Sequence, residues 1–262
     1  MTLHVMVAGA AGKMGQEVCR AVNADPDLEL VAAYDANNLA SGLDVGHGAR
    51  PVLIVNDQAT ALAAETQVMI DFTTPSAVKK NVTTAIEAGV HCVVGTTGLT
   101  EDDLNDLAAA AAKYKVNVLV APNFAIGAIL MMEMAKTASK FLESAEIIEL
   151  HHDQKADAPS GTALKTALGI GGRADKTRLR PGEKETIPGA RGGVVNGVHI
   201  HSVRLPGLVA HQEVIFGGVG QTLTIRHDTI DRTSFMPGVM LATKEVGNHP
   251  GLTFGLEHYL DL

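Results

Sequence analysis

The chain has 262 residues, enough for one large domain or two modest ones with a core that needs no disulfide or metal staple. Hydrophobic residues at 46% and charged residues at 19% exclude a disordered chain. With 21 lysines and arginines against 29 acidic residues the net charge is −8, and with 3% aromatics there is little to stack bases on, so nucleic acid is disfavoured as a partner.

The first 121 residues alternate strand and helix signals. Leu3–Ala8 is a short apolar run ending in Gly9; it lacks the basic leader of a signal peptide and reads as a buried parallel strand. Residues 14–23 have helical spacing, with Met14, Val18, Ala21 and Val22 on one side. Runs at 28–34, 52–55 and 68–72 read as the next strands, the last followed by a helix opening near Pro75. Residues 90–94 read as a strand ending in Gly95-Thr96-Thr97-Gly98. Thr100 and Asp103 form a capping-box start for an alanine-rich helix through Ala112, and 116–121 reads as the last strand of the series. This alternation implies a doubly wound parallel sheet.

The pattern changes after Pro122-Asn123. A helix is expected over 125–142, with Ile126, Ile129, Leu130, Met134 and Phe141 as its core stripe. Beyond Ile147 the chain reads as antiparallel, with strands at 147–150, 198–205, 212–216 and 221–227. In the last of these, Thr222, Thr224 and Arg226 alternate with Leu223 and Ile225, as in a sheet with one polar face. His199 and His201 are expected to face solvent or a subunit interface. The glycine- and charge-rich stretch 171–185 reads as a mobile surface loop, and a final helix is expected over 232–246. No apolar run is long enough for a transmembrane helix, so no membrane association is expected. Cys19 and Cys92, with no C-x-x-C, read as two reduced thiols in the core of a cytoplasmic protein.

Two regions carry chemistry. Gly9-Ala10-Ala11-Gly12-Lys13-Met14-Gly15 lies between the first strand and the first helix. Glycines there let the backbone turn tightly and approach a pyrophosphate, which the helix N–H groups and dipole then favour. The spacing is G-x-x-G-x-x-G, weak as a bare pattern and stronger for its place in a strand–turn–helix. Asp35 follows the second strand, 20 residues after Gly15, where a carboxylate accepts hydrogen bonds from an adenosine ribose; a cap or an exposed loop aspartate is the alternative. No arginine follows Asp35, since the next residue is Ala36, so the pattern favours NADH; Lys13 leaves NADPH tolerated. Gly95, Thr96 and Thr97, and Ala121, Pro122, Asn123 and Phe124, lie at the carboxyl ends of strands, where doubly wound sheets bind ligands.

The densest polar stretch runs from Glu149-Leu150-His151-His152 through Lys155 to Ala158-Pro159-Ser160-Gly161-Thr162. Pro-Ser-Gly-Thr is a helix opening with anion-ready N–H groups. His151, His152 and Lys155 beside it suit a carboxylate-bearing substrate that needs a proton. A metal site is disfavoured, because there is no H-E-x-x-H or thiolate cluster, and Ser160 lacks a nucleophile elbow and reads as a cap. A plain solvated loop is the remaining reading. Arg204 and His211, flanking Pro206-Gly207, read as structural or indirect supports.

These motifs, in this order, resemble the 4-hydroxy-tetrahydrodipicolinate reductases, also called dihydrodipicolinate reductases, of the diaminopimelate route to lysine. The resemblance implies an N-terminal Rossmann-like domain and an α+β substrate domain with an open mixed sheet. The expected boundaries are 1–123 with 233–262 for the first and 124–232 for the second, which also builds a homotetramer. It implies NADH or NADPH contacts at Gly9–Met14, Asp35, Gly95–Thr97 and Ala121–Phe124. It further implies His151 as the acid/base, Lys155 as the proton donor, and His152, Gly161 and Thr162 as carboxylate binders. The reaction implied is hydride transfer to a cyclic, imine-containing dicarboxylate. Many members carry an arginine where this chain has Ala36. A different two-domain amino-acid dehydrogenase would keep the glycine pattern without the His-His-x-x-Lys block. A silent nucleotide-binding regulator would bind cofactor without turnover.

Overall fold

The apolar runs of the N-terminal part become strands buried on both faces, the pattern of a sheet covered by helices on either side. The structure, a computed structural model, describes residues 2–37, 42–43, 45–46, 52–63, 65–171, 184–260 and 262. It divides into two units, Met1–Ala125 with Arg232–Leu262, and Ile126–Asp231. No helix among the described residues is long and apolar enough to cross a membrane.

The first unit contains β1 (Leu3–Ala8), α1 (Lys13–Ala24), β2 (Leu28–Tyr34), β3 (Gly42–Leu43), β4 (Val52–Val55), α2 (Gln58–Leu62), β5 (Val68–Asp71), α3 (Val78–Glu87), β6 (His91–Val94), α4 (Glu101–Tyr114) and β7 (Val118–Val120). The second unit contains α5 (Ile126–Ala138), β8 (Ser144–His151), α6 (Gly161–Ile170), β9 (Gly193–Val195), β10 (Val198–Arg204), β11 (Ala210–Gly218) and β12 (Gln221–Thr229). The chain then returns to the first unit with α7 (Met236–Glu245) and β13 (Leu252–Phe254).

The first sheet has the order β13-β7-β6-β5-β1-β2-β4-β3, parallel throughout except for β3 on β4. β1 pairs with β2 on one side and β5 on the other, so the chain reverses its winding direction at β1. That reversal opens a crevice at the strand's carboxyl end, where Gly9 follows. The expected capping box of α4 is present, with Thr100 and Asp103 bonded reciprocally. The strand ending near Ala121 does not close the series, because β13 pairs parallel to β7, Leu252 beside Val118.

The second sheet has the order β12-β11-β8-β10-β9. The antiparallel expectation fails at its centre, where β10 runs parallel to β8. The connection between them contains α6, and a strand–helix–strand crossover brings the second strand back in the same direction. Pairing places Phe216 beside Ala145, then Val214, Ile147 and Ile200 in the next buried row. Met131 and Ala135 of α5 and Ala163 and Ala167 of α6 complete this core.

Two further expectations are corrected. The helix over 125–142 stops at Ala138, and its buried residues are Ala128, Ile129, Met131 and Ala135. Of the stripe expected from sequence, Ile129 is buried and Ile126 and Leu130 are half-buried, but Met134 is 55% exposed and Phe141 80% exposed. Apolar residues occupy both sides of this helix, and the side with alanines is the one packed into the core beside the sheet. His199 is buried rather than solvent-facing, its Nδ1 2.6 Å from the Arg191 carbonyl oxygen, while His201 lies 2.8 Å from Glu146. Most of the loop expected at 171–185 lies outside the described residues.

Gly15 fixes how closely α1 sits on the turn after β1. A Cβ at this position would lie 2.0 Å from the Gly9 carbonyl oxygen, a backbone atom with no rotamer to move. Gly15→Ala is expected to cost roughly 1–3 kcal/mol of stability, as overpacking does. Thermal denaturation checks it, and an unchanged Tm would show that the turn relaxes freely.

Candidate active site

In the first unit the loops leaving the carboxyl ends of β1, β5, β6 and β7 converge on Phe72. Gly9 has φ +80°, and a Cβ there would sit 2.4 Å from the Phe72 carbonyl oxygen. A Cβ on Gly95 would fall 2.2 Å from the Phe72 ring, and the Phe124 ring centroid lies 5.8 Å from that of Phe72. Side chains are therefore excluded from two of the four loops by the third.

The sequence-selected residues take distinct places around this centre. Gly12 is the N-cap of α1 and no side chain caps the helix, which leaves its first-turn N–H groups without intrahelical acceptors. Gly12 and Lys13 are exposed, Met14 is half-buried and Ala10 is buried. Asp35 reaches the tip of the glycine turn, with one carboxylate oxygen accepting from the Ala11 N–H at 3.2 Å and the other from the Asn37 N–H at 3.1 Å. Thr96, Ala121 and Phe124 are buried, whereas Thr97 and Pro122 are exposed. Asn123 accepts from the Ala125 N–H at 2.9 Å. A turn in which Gly9 and Gly15 leave no room for a Cβ, ending in open helix N–H groups with a carboxylate at its tip, fits the pyrophosphate and ribose of a dinucleotide.

Thr96 is held from below. Asp71, fully buried at the end of β5, accepts from Thr96 Oγ1 at 2.6 Å, from Thr73 Oγ1 at 2.7 Å, from the Thr73 N–H at 3.1 Å and from Asn81 Nδ2 at 3.1 Å. Burial pushes this carboxyl above the ordinary carboxylate range against the pull of those hydrogen bonds.

In the second unit one face of the sheet grades from apolar to polar along the strands. Beyond the row of Val214, Ile147 and Ile200 comes Gln212, Glu149 and Ser202, and then Ala210, His151 and Arg204. Glu149 has no exposed surface. Arg204 grips it with two guanidinium nitrogens at 2.8 and 2.9 Å, and the Ser160 N–H reaches it at 3.3 Å. His151 Nδ1 lies 2.5 Å from the same carboxylate. Burial alone raises a carboxyl pKa, but the hydrogen bonds from Arg204, Ser202 and His151 together hold Glu149 below its ordinary value. Burial also lowers the His151 pKa, and the attraction of Glu149 only partly offsets this.

Ser160 caps α6 through the Ala163 N–H, so the first-turn N–H groups of Gly161 and Thr162 lack intrahelical acceptors. A Cβ on Gly161 would meet nothing within 4 Å, so Gly161 leaves its backbone uncovered. Lys155 Nζ lies 2.7 Å from Asp157, and His152 is exposed on the same loop. The structure thus brings His151, Lys155 and the α6 N-terminus into one short stretch of this unit.

Residues 3–124 match the family model described as dihydrodipicolinate reductase, N-terminus, and residues 127–260 match its C-terminus. The chain belongs to the dihydrodipicolinate reductase family. A 4-hydroxy-tetrahydrodipicolinate reductase of Desulfitobacterium hafniense is 49% identical over 266 residues, covering 99% of each chain. One from Synechocystis sp. is 52% identical over 270 residues, covering 98% of each. A dipicolinate-bound dihydrodipicolinate reductase from Paenisporosarcina sp. TG-14 superposes with a TM-score of 0.86 at 41% identity, covering 99% of this chain and 100% of that one. An amine dehydrogenase from Mycobacterium smegmatis, with a TM-score of 0.66 at 12% identity, shares the fold alone.

In this member of the family, Asp71, Phe72 and Glu149 do structural work that the sequence reading did not assign. Asp71 carried one signal, an ionisable residue ending an otherwise apolar buried strand. Asp71→Ala would strip its acceptors from buried donors and is expected to cost roughly 2–4 kcal/mol, while Asp71→Asn, which keeps one oxygen, costs less. Chemical denaturation measures both. Nucleotide titration is expected to weaken in the same order, because Thr96 and Thr73 lose their anchor.

Proposed function

We propose that this chain is a 4-hydroxy-tetrahydrodipicolinate reductase acting in the diaminopimelate route to lysine. In this reading it converts the hydroxylated ring dicarboxylate, NAD(P)H and a proton into tetrahydrodipicolinate, NAD(P)+ and water. One observation carries the reading: Glu149 joins His151 to the Ser160 N–H at the start of α6, with Lys155 on the connecting loop, in a chain that also has a glycine turn fit for a dinucleotide. Dipicolinate on the Paenisporosarcina relative, a planar ring with two carboxylates, supports the substrate class.

The first unit is assigned the cofactor and the second the substrate. Gly9, Ala10, Ala11, Gly12, Lys13 and Met14 would hold the pyrophosphate, with Asp35 on the ribose. Gly95, Thr96, Thr97, Ala121, Pro122, Asn123 and Phe124 would line the nicotinamide end. When bound, the reduced nicotinamide supplies a hydride. The N–H groups of Gly161 and Thr162 would hold a substrate carboxylate, helped by the α6 dipole and by His152. Lys155 would deliver a proton, and His151 would act as the acid/base.

NADH is the favoured cofactor. The Asp35 carboxylate would repel a 2′-phosphate, and Ala36 offers no compensating cation. Lys13, exposed at the turn, leaves NADPH usable. A cytoplasmic homotetramer completes the reading. The face of the second sheet turned away from its helices carries half-buried Ile148, Leu150, Val203 and Ile215, in keeping with contact between copies.

An assay that makes the ring substrate in situ from pyruvate and aspartate semialdehyde tests this directly. Synthase-dependent oxidation is expected, faster with NADH than with NADPH; no oxidation with either, from protein that binds one, would overturn the assignment. Lys155→Ala is expected to lower kcat about 100-fold or more with nucleotide affinity unchanged. Because burial keeps His151 neutral below its ordinary value of 6.5, the acidic limb of kcat/KM is expected below that pH.

A further inference from the structure

The geometry around Glu149 separates the duties of His151 and Lys155. A carboxylate only accepts hydrogen bonds, and the two-nitrogen grip of Arg204 keeps Glu149 ionised. The His151 nitrogen that faces it must therefore carry the hydrogen. The other tautomer would turn the Nδ1 lone pair onto a carboxylate oxygen 2.5 Å away. In the neutral ring this leaves Nε2 bare.

Arg204 supports this arrangement by holding Glu149 with two guanidinium nitrogens. An ionised carboxylate alone beside an imidazole draws a second proton onto the ring. Here burial of the ring outweighs that pull, and the positive charges of Lys155 and Arg204 add to it, so Glu149 directs the ring without charging it. The charged groups acting on His151 are Glu149, which favours its protonation, and Arg204 and Lys155, which oppose it. Arg204 is itself fixed by donating to the carbonyls of Val203 and Asp157 at 2.8 and 2.7 Å. Its Asp157 contact ties it to the loop that carries Lys155, whose ammonium lies on the Asp157 side chain.

We propose that Glu149, held by Arg204, is a positioning residue that fixes His151 as its Nδ1–H tautomer, so that Nε2 is left as an acceptor and Lys155 delivers the one proton that the reaction consumes. The inference rests on the reading of the 149–162 segment as the substrate site. A bare Nε2 has no proton to give until it has taken one, whereas an ammonium has three. The same carboxylate accepts from the Ser160 N–H, so it also sets where the carboxylate-binding end of α6 stands relative to His151.

The test uses the full chain labelled with 15N. Two-bond 1H–15N spectra of the imidazoles, assigned through loss of the signal in His151→Asn, report the tautomer without altering Glu149. The neutral Nδ1–H form is expected at neutral pH; an Nε2–H ring overturns the proposal. Glu149→Gln with Arg204→Gln replaces the ion pair by a neutral pair of similar size. In that variant the tautomer is expected to shift toward Nε2–H and kcat to fall at least tenfold, with nucleotide Kd unchanged. A folded double variant with unchanged tautomer and kcat also overturns it, and if the variant does not fold, the wild-type spectrum decides. Arg204→Gln alone is expected to raise the His151 pKa, which a merely structural role would not do; no rise overturns the part given to the Arg204 charge. Full turnover by His151→Asn would instead sink the site reading itself, whatever the tautomer.

Discussion

A negative charge taken wholly out of water is costly, by several kcal/mol for an ion even after relaxation, unless hydrogen bonds and an opposite charge replace the lost hydration. Glu149 meets this requirement with groups from three places in the chain. Arg204 comes from the end of β10, the Ser160 N–H from the start of α6, and His151 from its own strand. Each partner is thereby fixed in position, and each belongs to the site or holds a part of it. A hydrophobic residue at 149 would fill the space with less desolvation, but it would leave Arg204 without a counter-charge and the imidazole free to turn. The pair is best understood as a constraint on geometry rather than as a source of stability.

The first unit uses a carboxyl group in the same way but with different electrostatics. Asp71, like Glu149, has no exposed surface; it ends β5, whereas Glu149 lies two residues before the end of β8. Its partners are two threonines and an asparagine, all neutral, so burial prevails and its pKa is pushed up. Glu149 has an arginine, so the hydrogen bonds prevail and its pKa is pushed down. Two carboxyl groups without exposed surface thus shift in opposite directions, Glu149 with an arginine within 3 Å and Asp71 with neutral donors only.

Much of the fold was legible because buried parallel strands are short apolar runs between punctuating residues. β1, β2 and β4 were read at their observed limits, and the capping box marked the start of α4. The direction of β10 was not legible, because pairing between strands far apart in sequence leaves no local trace. The face of α5 was only partly legible because apolar residues occupy several sides of the helix: Ile129 and Met131 pack inward while Met134 points outward. The site motifs stood out through residue type and order. The buried supports did not, since Asp71 resembles a strand-ending turn residue. Glu149 left a trace that was passed over: Ala145, Ile147 and Glu149 share one phase of the strand, and the first two are core residues.

The first unit is interrupted in sequence by the second. β13 supplies the strand beyond β7, and Asn117 stitches the returning segment down by donating to the Val246 and Gly247 carbonyls and accepting from the Gly251 N–H. During synthesis on the ribosome, β7 therefore emerges with one side of its hydrogen-bonding ladder bare and stays so until 126–231 has been made. Exposed parallel edges invite pairing with other chains. The inserted unit, continuous in sequence, can fold as soon as it has emerged, whereas the first unit is sealed only by the last residues translated. A chain cut short after Asp231 would keep the whole mixed sheet and lose the strand that closes the other.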